Sequence, residues 1–274
     1  MKVIIITGIS SGIGFSIAEH LCKKGHKVYG VSRSKVHEKN VFSIQADVTD
    51  FEQLKQAYQE IHDQEGRIDV VINSAGMGIS GSIEDTSTED ASYLYNVNFI
   101  GTFHSIKAAI PLMRAAGGGK IINISSVAGR IAIPFQAFYS SSKAAINNLT
   151  EALDNEVSPF GIQVCAVMPG DIKTGFTKHR KKNRVNHPSY DKRVEKSVAV
   201  MEQDEQDGME PEYAARVICK LIKRKKIPLY KVIGFKYKLI VMLAKWLPSA
   251  WVNKVVGSIY GFKRQSSKNT KKAR

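Results

Sequence analysis

VIIITGISSGIG, Val3 to Gly14, decides how this chain is read. Five β-branched residues, Val3 to Thr7, read as a strand, and a helical periodicity begins at Ile13. Between them Gly8, Gly12 and Gly14 are spaced G-x-x-x-G-x-G. Such glycines permit a tight turn and a close backbone approach, and a helix opening behind the turn offers free amides and a positive dipole end to a phosphate. A strand, a glycine turn and a helix in this order point to a bound nucleotide, with Gly8, Ser10, Ser11, Gly12, Ile13 and Gly14 around its pyrophosphate. The turn lacks a Gly-Lys-Ser/Thr ending, which argues against an ATPase.

Outward from this turn the same alternation continues. KVYGVSR, VFSIQAD, IDVVINSAG, KIINISS and IQVCAVMPG read as further strands, and Leu229 to Ile233 as a last one. Helices are expected at Ile13 to Lys24, Asp50 to Glu65, Thr88 to Ala115, Gln136 to Val157 and Pro211 to Lys225. Strands alternating with helices predict an α/β fold, a doubly wound parallel sheet covered on both faces in three layers. No low-complexity linker divides the first 225 residues, so residues 1–234 are expected to form one domain. Within it the polar stretch Asp171 to Gly208 is long enough to suggest a lid. Residues 235–262 are expected to add an amphipathic helical extension, and the basic tail 263–274 to be disordered.

The chain of 274 residues has a formal net charge of +15, which raises the question of nucleic acid or a membrane surface. Residues 213–274 contain 17 Lys or Arg and no Asp or Glu, so the charge belongs to the C-terminal part and the rest is nearly neutral. No recognisable nucleic-acid reading module accompanies it, and nucleic acid is not expected as a partner. Cys22, Cys165 and Cys219 show no CxxC or metal-type spacing and read as reduced thiols of a cytoplasmic protein without a metal site. No stretch is apolar enough for a transmembrane helix, since Leu239 to Phe262 carries Lys245 and Lys254 within it.

TGISSGIG, NSAG at Asn73 to Gly76, ISS at Ile124 to Ser126, Tyr139-x-x-x-Lys143 and Pro169-Gly170 together resemble the short-chain dehydrogenase/reductase family over roughly residues 1–225. The resemblance implies a Rossmann-like fold and a nicotinamide cofactor. By it, Asp47 and Val48 contact the adenine, and Asn73, Ala75 and Gly76 shape the turn beside the cofactor. Pro169, Gly170, Ile172 and Thr174 orient the nicotinamide carboxamide. Ser74 replaces the second Asn of the usual NNAG and is left without a role. At the end of the second strand, where an acidic residue would bind ribose hydroxyls, stand Ser32 and Arg33. An arginine fork suits a 2′-phosphate, so NADP(H) is expected over NAD(H).

Tyr139 and Lys143 share one helical face at i and i+4. A nearby ammonium, with the positive oxidised nicotinamide, is expected to lower the phenol from its ordinary value near ~10. Tyr139 would then act as general acid on a carbonyl oxygen and as base in reverse. Lys143 would tune it and hold the nicotinamide ribose. The resemblance adds Ser126 as the hydroxyl that holds the substrate oxygen and Asn98 as the residue that keeps a water in a relay to Lys143. Ser140 to Ser142 read as helix filler and neighbour contacts.

The reaction expected is hydride transfer between a nicotinamide and a carbonyl or secondary alcohol. Its substrate is expected to be apolar, a steroid-, retinoid- or lipid-like ketone, because the tail resembles the C-terminal extension of family members acting on such compounds. A 3-oxoacyl thioester is the rival within the same chemistry, since Lys178, Arg180, Lys181, Lys182 and Arg184 could suit an acidic carrier. A nonenzymatic NADP-dependent sensor or scaffold is the rival of another class, but it would not need the intact reacting groups. The extension places Phe235, Leu239, Met242, Leu243 and Trp246 on one helical face. That face either packs on the domain or lies on an anionic membrane surface. The family resemblance also implies a homodimer or homotetramer.

Overall fold

The computed structural model describes residues 1–260 except 39, 184 and 191. The expected tail 263–274 lies outside the described residues.

β1 (Val3–Thr7) leads through the glycine turn into α1 (Gly12–Cys22), followed by β2 (Lys27–Ser32), β3 (Val41–Gln45), α2 (Phe51–Glu65) and β4 (Val70–Asn73). Asp50 caps α2 by accepting from the Gln53 amide, and Gly66 ends it at a φ of 71°. After the short β5 (Ile79–Ser80), the expected helix from Thr88 to Ala115 is present but interrupted. α3 (Thr88–Tyr95) and α4 (Gly101–Ala115) are joined by a π-helical turn over Asn96–Ile100. β6 (Gly119–Ile124), α5 (Ala137–Val157) and β7 (Ile162–Pro169) complete the central frame.

The expected lid contains α6 (Phe176–His179), β8 (Lys181–Lys182) and α7 (Arg193–Gln206). α8 (Pro211–Lys223) and β9 (Tyr230–Ile233) return to the sheet. The expected amphipathic extension is two helices, α9 (Phe235–Trp246) and α10 (Ser249–Ile259). Pro248 lies between them, where it cannot continue a helix.

All pairings in the main sheet are parallel, in the order β3-β2-β1-β4-β6-β7-β9. Alternate residues of β1 serve opposite faces. Ile4 and Ile6 join Ile17, Leu21, Ala215 and Ile218 in one core layer, which belongs to α1 and α8. Val3 and Ile5 join Tyr58, Ile106, Met113 and Leu153 in the other, under α2, α4 and α5. The chain leaves β1 toward β2 on one side, while β4 lies on its other side. The crevice where strand order reverses therefore opens at the carboxyl end of β1, where the glycine turn sits. The lid is tied to the body by β8, which pairs with β5 in register Ile79 to Lys181.

Candidate active site

One cavity of about 680 Å³ runs from the glycine turn to the C-terminal helices. Its first end is made of backbone. Gly8 has a φ of +72°, and a side chain there would place its Cβ 2.5 Å from the Ala75 Cα. At Gly14 a Cβ would lie 2.5 Å from the Gly8 carbonyl oxygen, so helix and turn approach as closely as glycine allows. The amino end of α1 has no side-chain cap and no acid in its first turn. Those free amides, facing a cavity wide enough to hold a dinucleotide, fit a pyrophosphate.

Gly8, Ser10, Ser11, Gly12, Ile13, Arg33, Asp47, Val48, Ala75 and Gly76 all line this end. Asn73 does not line it: its amide donates to Asn123 Oδ1 at 2.8 Å, and its own Oδ1 accepts from Ser105. Asn73 thus braces β4 and β6 behind the cofactor position. Gly14 likewise lies behind the wall and shapes the turn. Arg33 Nη1 donates to the Tyr93 hydroxyl at 2.8 Å, which steers the guanidinium along the cavity rim. Ser32 is buried and donates to the Ser34 carbonyl at 2.7 Å. Ser74 gains a place: its amide donates to Thr7 Oγ1 at 3.2 Å, holding the NSAG turn to β1.

Tyr139, Lys143 and Ser126 meet halfway along the cavity. The Ser126 hydroxyl accepts from the Ala128 amide at 3.1 Å and acts on the Tyr139 phenol to lower its pKa. Lys143 Nζ lies 5.7 Å from the Tyr139 ring centre and donates to the Ile124 carbonyl at 2.8 Å. Burial lowers the Lys143 ammonium from 10.5 to about 8. The lowering expected at Tyr139 is not found. Burial pushes the phenol up to about 12, against a smaller lowering by Ser126. The Lys143 charge has little net effect on the phenol because that ammonium is itself desolvated and turned toward a carbonyl. The remaining contribution foreseen, a cationic nicotinamide, belongs to the bound state.

Asn98 is fully buried inside the π-helical turn and does not line the cavity. It accepts from the Met77 amide at 2.8 Å and donates to the Met77 carbonyl at 3.0 Å and to Ser142 Oγ at 3.1 Å. Thr102 Oγ1 donates to the Asn98 carbonyl at 2.7 Å. Asn98 Oδ1 and Lys143 Nζ both approach Gly76, at 3.3 and 3.5 Å from where a Cβ would stand. Of the serines between Tyr139 and Lys143, Ser140 Oγ accepts from the Ile133 amide and Ser142 Oγ from Asn98, so two of them order the site.

Beyond Tyr139 the cavity is walled by Ile131, Ile133, Phe176, Ile240, Val256 and Ile259. The Phe176 ring lies 5.5 Å from that of Tyr139. Asp171, Asp204 and Glu205 also face the cavity. Glu205 pairs with the buried Arg180 and accepts from Thr177, and Asp171 accepts from the Tyr237 hydroxyl. Asp204 makes no hydrogen bond or ion pair among the described residues. Burial raises its pKa first and the Asp171 charge second, while Lys236 lowers it.

Pro169, Gly170, Ile172 and Thr174 line the cavity. Gly170 has a second reason to be glycine: the Tyr237 ring packs directly on its Cα, where any side chain would collide. α9 is thereby clamped to the strand end that carries the cofactor segment. Sequence reasoning missed Tyr237, Tyr260 and the three carboxylates. A helix register alone does not say which face meets a cavity, and no local motif marks them.

The fold and cavity define an oxidoreductase of the dinucleotide-binding α/β class. The sequence profile described as short chain dehydrogenase matches residues 2–185, and the chain belongs to the short-chain dehydrogenase/reductase family. It is 41% identical over 253 residues to 3-ketodihydrosphingosine reductase of Bacteroides thetaiotaomicron, covering 90% of this chain and 93% of that protein. Among solved structures, a short-chain dehydrogenase from Streptomyces avermitilis superposes with a TM-score of 0.80 at 29% identity, covering 96% of this chain and 99% of that one. ElxO with NADP bound superposes with a TM-score of 0.73 at 28% identity, covering 87% and 99%.

Proposed function

We propose that this oxidoreductase uses NADPH to reduce the ketone of a long-chain, lipid-like molecule that carries an amine beside its carbonyl. The observation that carries this reading is the part of the cavity beyond Tyr139, which Asp204, without a hydrogen bond or ion pair among the described residues, lines together with apolar side chains. An alkyl chain suits those walls, and an ammonium suits the carboxylate. Support comes from the relative named 3-ketodihydrosphingosine reductase, whose substrate name denotes such an amino ketone.

The bound nicotinamide supplies the hydride. Tyr139, held up at about 12, keeps its proton through the neutral range and donates it to the ketone oxygen, which the Ser126 hydroxyl helps to hold. Lys143 would hold the ribose hydroxyls through its ammonium, and Asn98 fixes the Met77 backbone. Preference for NADPH rests on Arg33 at the cavity rim and on the absence of an acid at the end of β2.

The rival reading, a 3-oxoacyl thioester on an acidic carrier, loses its main support. Arg180 is paired with Glu205, Lys181 with Asp90, and Lys182 with Glu202 at 2.7 Å. Three of the five basic residues are therefore paired, Lys178 makes no ion pair among the described residues, and Arg184 lies outside them.

Initial rates with NADPH and NADH on a long-chain 2-amino-3-ketone and on a 3-oxoacyl thioester test the reading. The amino ketone with NADPH is expected to give the highest kcat/KM. A preference for the thioester would overturn the substrate assignment, and equal use of both cofactors would overturn the NADP assignment.

A further inference from the structure

α9 has no buried residue, and α10 buries only Val256. The face that the heptad-like spacing of α9 creates points outward: Phe235 is 77% exposed, Leu243 56% and Trp246 81%. On α10, Trp251 is 69% exposed and Val255 56%. A monomer in water rarely displays so many large apolar side chains on one short segment. The inner side of the same pair is built into the enzyme. Tyr237 packs on Gly170, Tyr260 packs with Val194, Val198 and Met201, and Lys236, Ile240, Val256 and Ile259 line the cavity. Ile240 and Ile259 line the cavity and are also exposed, so they form the rim where the cavity meets the outer apolar face.

We propose that α9 and α10 dock on an anionic bilayer surface and that a lipid ketone enters the cavity from that bilayer between Ile240 and Ile259, without passing through water. The substrate part of this inference rests on the lipid-ketone reading above; the docking part does not. Charge complementarity selects the occupant. Residues 235–260 carry no Asp or Glu, and beside Lys236, which lines the cavity, they carry Lys238, Lys245 and Lys254, each of which strengthens attachment when near an anionic surface. A second copy of the chain would bring the same cations against themselves. Trp246, the last residue of α9, and Trp251, in the first turn of α10, sit together at the joint between the two helices, where exposed indoles suit the headgroup level. No helix among the described residues is long and apolar enough to cross a membrane, so the contact is a surface one.

The chain contains two tryptophans, both on this face, so intrinsic fluorescence reports on it alone. Full-length protein mixed with phosphatidylcholine vesicles containing phosphatidylglycerol is expected to sediment with them and shift its emission to the blue. Vesicles of phosphatidylcholine alone are expected to bind at least about tenfold more weakly. The double variant Leu243→Glu, Trp246→Glu leaves the cavity lining intact. It is expected to lose vesicle binding at least about tenfold. It should also lose turnover of a vesicle-embedded long-chain ketone to a similar extent, while keeping wild-type kcat/KM on a short, water-soluble ketone.

Failure of the wild type to bind anionic vesicles would overturn the proposal. So would a double variant that changes the oligomeric state by light scattering while binding vesicles normally, which would make the face a subunit interface. Equal turnover of the embedded ketone by both proteins would overturn the entry route. If no ketone is reduced at all, the proposed function fails, while the sedimentation and fluorescence results still decide the docking.

Discussion

The two ends of the cavity are built by opposite means. At the glycine-turn end the walls are mostly backbone at the carboxyl ends of β1 and β4 and at the start of α1, with glycines where the approach is closest. The substrate end is made of side chains on the lid and two surface helices, fastened by a few contacts such as Tyr237 on Gly170. A common cofactor needs a fixed cradle, whereas substrate recognition tolerates construction from late, loosely attached elements. Damage to the first end should therefore be categorical, and damage to the second graded.

The largest effect is expected at the junction between them. Tyr139→Phe removes the proton donor and should lower kcat by about 10³-fold, within the usual range for a general acid, while NADPH affinity measured by fluorescence titration stays within about twofold. Retention of most activity would remove Tyr139 from its assigned role. Gly8→Val tests the cradle. The positive φ and the clash with Ala75 should cost on the order of 2 kcal/mol or more in stability and weaken NADPH binding by at least about 100-fold, as read by calorimetry. A variant that binds NADPH normally would show the first end to be less rigid than its geometry implies.

At the second end Asp204→Asn should act selectively. A loss of about tenfold in kcat/KM for an amino ketone, with little change for the deaminated analogue, matches one partly exposed ionic contact. Equal losses on both ketones would make Asp204 a structural residue.

The smallest expected effect is a pH dependence at Lys143. Because burial lowers its folded pKa from 10.5 to about 8, the unfolded chain binds more protons between those values. Stability attributable to this residue should therefore rise as pH climbs from about 8 toward 10.5, and the charged form should carry a constant cost below about 8. Thermal melts of the wild type and Lys143→Met across that range should converge as pH rises. In the same window kcat/KM for reduction should fall if the Lys143 ammonium holds the cofactor ribose as proposed. A flat profile would place the lysine charge outside the cofactor step.

The difference between the ends also governs what could be read from sequence. TGISSGIG packs strand, turn and helix into neighbouring residues, so its chemistry is local and its position in the fold follows from alternation alone. Tyr139 and Lys143 are legible because one helical turn places them on one face. Ser126 and Asn98 needed the family's pattern, since nothing in their immediate neighbours marks them. The direction of the Tyr139 shift was not legible, because burial by Phe176 and the lid depends on packing from thirty-odd residues away. For α9, the apolar stripe was visible but its orientation was not. A periodicity of apolar residues reports that a face avoids water, and says nothing about whether protein or lipid covers it. Only Tyr237, on the other side of the helix, reveals which face meets the domain.

The π-helical turn at Asn96–Ile100 has a further consequence, for how this stretch of chain can vary in length. The turn holds more residues than an α-helical one, and Gly101 immediately after it approaches Val48 so closely that a Cβ would lie 2.7 Å from a methyl group. The extra residue is absorbed in the widened turn while the flanking helices stay in phase, so deleting one residue would let the helix regularise and would remove the widening that carries Asn98. Asn98 could then no longer keep its bonds to Met77 while Gly101 stays against Val48. Residue identities along this helix can drift while its residue count cannot, so insertions and deletions should accumulate in the lid and leave these five positions ungapped.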